Sequence, residues 1–166
     1  DVTSGDPYAH HNLLLQGRSD RLGFRSVEQS GVTSLPARTS RGSIFADFDN
    51  DGGMDIVILN RNAPVRFLAN TVSHRGHWLL ADVRDANGAP AIGARVELDF
   101  GDQVRTGFVH SDSSYLTASD PRVHFGLGAE ASIPELRVVW LSGETVTLLD
   151  VHADQVLQIA PPNSSP

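Results

Sequence analysis

Arg95-Val96-Glu97-Leu98-Asp99-Phe100 decides the fold. Polar and apolar residues alternate along it without a break. Period two puts one face in a core and the other in water, which is the pattern of an antiparallel strand. The same period recurs at Val104, Thr106 and Phe108, at Leu136, Val138 and Trp140, and at Val146 and Leu148. Turn signals separate the runs: Asn87-Gly88, Gly101-Asp102 and Ser142-Gly143. No stretch carries a sustained i, i+3, i+4, i+7 apolar stripe. The chain therefore reads as all-β. From Trp78 to Ile159, about seven strand candidates at regular turn spacing predict an antiparallel β-sandwich or barrel. Val96, Leu98, Phe108, Val138 and Trp140 should point inward, and no long helix should interrupt them.

Upstream of that region the strand signals are shorter. Leu13-Leu14-Leu15, Phe24 to Val27, Ile44-Phe45-Ala46, Ile56 to Leu59 and Phe67-Leu68 are the candidates. Asn70 to Gly76 is polar and turn-rich, which predicts a boundary there. The expected organisation is residues 1–72, then 77–160, then a flexible tail over 161–166.

Composition narrows the function classes. The chain has 166 residues and is 40% hydrophobic, enough for a packed core. Twenty acidic residues against 13 basic ones give a net charge of −7. That argues against nucleic acid as a partner, because a nucleic-acid binder needs a basic face. No apolar run reaches the roughly 20 residues of a membrane span. Cysteine is absent, which excludes disulfides, thiolate zinc sites and thiol nucleophiles. Lysine is absent too, so there is no P-loop and no Schiff-base lysine. The chain begins at Asp1 rather than Met, as expected of a processed or excised piece.

The sharpest local feature is Asp47-Phe48-Asp49-Asn50-Asp51-Gly52-Gly53-Met54-Asp55. Carboxylates stand at loop positions 1, 3, 5 and 9, with glycine at 6. Side chains so close repel one another unless a cation lies between them. Calcium takes six to eight hard oxygens in flexible geometry, whereas magnesium prefers a strict octahedron and its own waters. The predicted ligands are Asp47, Asp49, Asp51 and Asp55, with the Gly53 carbonyl at position 7. A solvated acidic turn is the alternative. An EF-hand needs a bidentate Glu at position 12, where this chain has Ile58, and flanking helices where it has strand signals.

Phe45 to Val57 resembles the calcium loop of FG-GAP/VCBS repeats, the blades of integrin-type β-propellers. Leu13-Leu14-Leu15, Phe24-Arg25-Ser26-Val27 and Gly31-Val32 are similar to that repeat's lead-in, so the resemblance spans about residues 12–70. One such loop occurs here, and a propeller needs at least four blades. The resemblance thus implies either a partial blade with the rest of a propeller upstream or a blade that packs differently. Its strands should expose apolar surface or lean on the C-terminal half.

Five phrases in order resemble the ASPIC/UnbV domain over about residues 77–160. They are Ala91 to Val96, Ser114-Tyr115-Leu116, Val123 to Gly128, Val139 to Gly143 and Ala153 to Leu157. Leu141 stands where that family usually carries proline. The resemblance implies an extracellular or periplasmic setting.

The remaining residues give weaker signals. His74 and His77 are three apart, with His110, His124 and His152 further on, but a strand or loop gives them no shared face for zinc. His124, inside an apolar strand, reads as structural. Trp140 reads as core. Trp78 and Tyr115 are either buried or a carbohydrate-stacking pair. No Gly-x-Ser-x-Gly elbow supports a serine hydrolase. The expected function is a calcium-binding exported module for adhesion or for contact with a protein or glycan ligand. The alternative is an accessory enzyme of a natural-product pathway.

Overall fold

A computed structural model describes residues 6–18, 20, 22–73 and 76–162. Every regular element among them is a strand. The strands are β1 (Leu15–Gly17), β2 (Phe24–Ser26), β3 (Ser40–Ala46), β4 (Asp55–Asn60), β5 (Arg66–Leu68) and β6 (His77–Val83). They continue with β7 (Arg95–Asp99), β8 (Val104–Phe108), β9 (Val123–Gly128), β10 (Ser132–Val139), β11 (Thr145–His152) and β12 (Gln155–Ile159). Among the described residues no helix is long and apolar enough to cross a membrane.

The seven strands β6 to β12 form two sheets, in the orders β12-β6-β9 and β11-β10-β7-β8. Neither closes into a barrel, and their apolar faces meet as in a β-sandwich. Leu79 and Ala81 of β6 and Phe125 and Leu127 of β9 share one buried core with Val96 and Leu98 of β7 and with Leu136 and Val138 of β10. Trp140 closes this core at one end, and its indole N–H donates to the Arg84 carbonyl at 2.8 Å. On β7 and β10 the polar neighbours Arg95, Glu97 and Arg137 lie on the opposite side from the buried Val96, Leu98, Leu136 and Val138, so hydrophobic burial selects the register.

Two expectations are corrected here. Phe108 points outward and is 55% exposed. On β8 the inward face belongs to Arg105 and Gly107, with Val109 just beyond the strand, so the apolar period at Val104, Thr106 and Phe108 lies on the solvent side. The reason is space. A Cβ at Gly107 would run into Val123 and lie 3.0 Å from the Phe125 ring, so β9 side chains occupy that position. The second correction concerns direction. β12 pairs with β6 in parallel, while every other strand pair is antiparallel. A parallel pair needs a long crossover, and the whole of β7 to β11 supplies it.

A third sheet, β3-β4-β5, lies upstream, along with the exposed hairpin β1-β2. The free edge of β3 is covered by residues 114–120. Ser43 N–H donates to Ser114 Oγ, and Phe45 N–H donates to Ser119 Oγ, both at 3.1 Å. Asp120 N–H returns a bond to the Phe45 carbonyl at 3.1 Å. Thr117 Oγ1 donates to the Ser43 carbonyl at 3.0 Å. Such capping keeps an edge strand from pairing elsewhere. It also requires Gly42, where a Cβ would sit 2.6 Å from the Thr117 methyl and 2.7 Å from the Tyr115 carbonyl oxygen. The upstream sheet thus leans on the C-terminal half, and it still leaves Leu13, Phe24, Phe48 and Phe67 exposed.

Candidate metal centre

The acidic loop joins β3 to β4. Its turn depends on backbone conformations outside the usual range: Asn50 has φ 57° and Gly52 has φ 86°. Asparagine and glycine adopt such angles at least cost. The carboxylates then gather the loop's own N–H groups. Asp47 accepts from Asp51 N–H at 3.1 Å and from Gly52 N–H at 2.8 Å. Asp55 accepts from Phe48 N–H at 3.1 Å and from Asn70 N–H at 2.7 Å. These bonds satisfy two carboxylates that are almost fully buried, at 1% and 4% exposure.

Asp47, Asp49 and Asp55 each bring one carboxylate oxygen within 4.8 Å of the others. This is an all-oxygen donor set on a short loop, and its chemistry fits a hard divalent cation. Asp51 stands outside this set. Its Oδ1 accepts from Gly53 N–H at 2.8 Å, which closes the turn. Asp49 is exposed, yet its carboxyl is held above the usual carboxylate range. Partial desolvation is the main cause, and the charge of Asp51 adds to it, with Asp55 and Asp47 contributing less. Neighbouring carboxylates thus disfavour the charged form of Asp49 where the three oxygens meet.

The C-terminal half grips this loop. Gly52 packs against the Trp78 indole so closely that a Cβ would lie 2.3 Å from ring atoms. His124 Nε2 lies 2.9 Å from the Gly52 carbonyl oxygen. Arg122 donates to the Asp47 carbonyl at 3.0 Å and to Asn50 Oδ1 at 2.6 Å. Its guanidinium is fixed by Asp120 through Nε at 2.7 Å and Nη2 at 2.5 Å, and that ion pair raises its pKa further. Arg122 has no signature in the sequence, because its partners on the loop lie more than 70 positions away.

Other singled-out residues are placed separately. Trp78 is half-buried against the loop, whereas Tyr115 is exposed, so they do not form one aromatic platform. Trp140 is core, as expected. His77 pairs with Asp154 at 2.6 Å, and His110 lies 3.4 Å from Asp112. His124 serves structure, and His74 lies outside the described residues. An apolar groove of about 310 Å³ runs between Leu13 and Leu14 on one side and Phe45, Ile56 and Ile58 on the other. On the opposite face of this sheet, Phe48 and Phe67 pack edge to face, 5.5 Å between centroids.

Residues 84–166 match the family described as ASPIC and UnbV. The chain is similar to cartilage acidic protein 1 of three vertebrates. The Xenopus tropicalis protein is 30% identical over 165 residues, which is 95% of this chain and 25% of the relative. The Mus musculus protein is 28% identical over 76% of this chain and 20% of its own length. The Homo sapiens protein is 29% identical over 68% of this chain and 17% of its own length. The chain thus spans a quarter or less of these curated relatives.

Proposed function

The chain belongs to the ASPIC and UnbV family, and we propose that it is a calcium-binding β module of an exported protein, presenting a surface to a protein or glycan ligand. The single observation that carries the calcium reading is the convergence of Asp47, Asp49 and Asp55 on one point. Calcium there would cancel the carboxylate repulsion and tie β3 to β4. Its role is structural, so no substrate turnover is assigned to it. The strand-loop-strand setting supports an FG-GAP/VCBS-type repeat over about residues 12–70. The exposed groove and the Phe48–Phe67 pair support further blades packing on this sheet in a longer protein. The relatives are named for cartilage, which fits an extracellular setting.

Thermal unfolding with calcium and with a chelator tests the proposal. At a calcium concentration one hundred times the dissociation constant, binding adds about 2.7 kcal/mol. For a chain of this size that raises the midpoint by roughly 5–11 °C. Asp49→Ala should remove the gain. An unchanged midpoint in the parent protein on chelation would leave the acidic run as a solvated turn.

A further inference from the structure

We propose that the outer face of the β12-β6-β9 sheet positions the cation loop, so that Arg122 and His124 set its calcium affinity without being ligands. This rests on the calcium reading above.

The core-facing residues of β6 and β9 are Leu79, Ala81 and Val83, and Val123, Phe125 and Leu127. Alternation sends Trp78 and Leu80 of β6, and His124 of β9, to the other face. An outer face of a sandwich is ordinarily wet, but here Leu80 is 1% exposed. In the pairing of β6 with β9, Leu80 stands opposite His124. The acidic loop covers this region, with Gly52 on the Trp78 ring and its carbonyl at the His124 imidazole.

The grips fall where they control the ligands. Arg122 holds the carbonyl of Asp47, the first carboxylate of the loop, and the side chain of Asn50, which has a left-handed backbone. His124 and Trp78 hold Gly52, the second left-handed residue. A free nine-residue loop would leave both conformations often and scatter its carboxylates. Held at these points, the loop is pre-organised, and outer groups of this kind typically change metal affinity 10–100-fold.

A guanidinium beside a cation site would by itself repel the ion. Asp120 offsets that charge with its paired contacts, so Arg122 supplies hydrogen bonds at little electrostatic cost. Asp120 N–H in turn is bonded to the Phe45 carbonyl of β3. A continuous path therefore runs from β3 through Asp120 and Arg122 back to the loop that β3 enters.

The test is calorimetric titration of the 166-residue chain with calcium alone. Five proteins are compared by titration, namely the parent, Asp49→Ala, Arg122→Ala, Arg122→Lys and His124→Ala, and a sixth, Trp78→Phe, serves the emission measurement. Arg122→Ala should weaken binding about 10–100-fold. Arg122→Lys, which keeps the charge but loses the fork, should fall between it and the parent. His124→Ala should weaken binding in the same direction. Calcium should also change the Trp78 emission, and Trp78→Phe should abolish that change. If Arg122→Ala does not fold, His124→Ala carries the test, because it leaves the Arg122–Asp120 pair intact. The proposal is overturned if the parent binds calcium, Asp49→Ala does not, and the Arg122 and His124 variants bind within about twofold of the parent. Absence of binding in the parent, with Asp49→Ala behaving identically, overturns the calcium reading and this inference together.

Discussion

Replacing Gly52 with alanine probes the docking of the acidic loop in one step. Gly52 has φ 86°, where a side chain adds about 1–2 kcal/mol of strain. Its missing Cβ is also the space taken by the Trp78 ring. Moving a packed indole aside costs about 1–3 kcal/mol more. The sum is about 2–5 kcal/mol, which lowers the thermal midpoint by roughly 4–20 °C for a domain of this size. Gly88 provides the control. It has φ 79° and open space around its Cβ direction, so alanine there meets the backbone strain alone. Urea unfolding of both variants, in chelator, separates strain from docking. A cycle with Trp78→Ala should then show a coupling of about 0.5–3 kcal/mol between positions 52 and 78. Equal losses for Gly52→Ala and Gly88→Ala, with no coupling to Trp78, would refute the docking of this loop on the sandwich.

Three further outcomes are expected. Asp49 has a folded pKa raised by desolvation and by Asp51, so its contribution to stability is intact below the unfolded value of 3.8 and is lost as pH rises through the folded value. Asp49→Asn should therefore raise the midpoint of the calcium-free protein at neutral pH while abolishing its response to calcium, as read by scanning calorimetry in both buffers. Asp6 behaves in the opposite sense, because the Thr39 hydroxyl and the Tyr8 N–H lower its folded pKa. Its contribution is present above 3.8 and is lost as pH falls through the folded value, so Thr39→Val should flatten the acid limb of the stability profile. Gly107→Ala should cost about 1–3 kcal/mol in urea unfolding, because the new methyl meets Val123 and Phe125.

The all-β class was legible because period two is a local property. Val96, Leu98, Val138 and Trp140 are buried where their alternation places them. The acidic loop was legible for the same reason. Carboxylates two residues apart around a glycine lie within one tight turn, and three of the four meet. Alternation does not say which face of an edge strand is inward. On β8 the larger apolar side chains face water, because Phe125 and Val123 fill the space beside Gly107. Nor does it give strand direction, so the parallel pairing of β12 with β6 was not readable. Asp51 has the same spacing as the other three, and its Oδ1 accepts from Gly53 N–H within the turn. The sequence by itself determined strands, turns and a charged loop, all set by neighbours a few residues apart. Only the tertiary structure put Trp78, Arg122 and His124 against that loop, because contacts across dozens of residues depend on which surfaces pack together, and no local pattern encodes that.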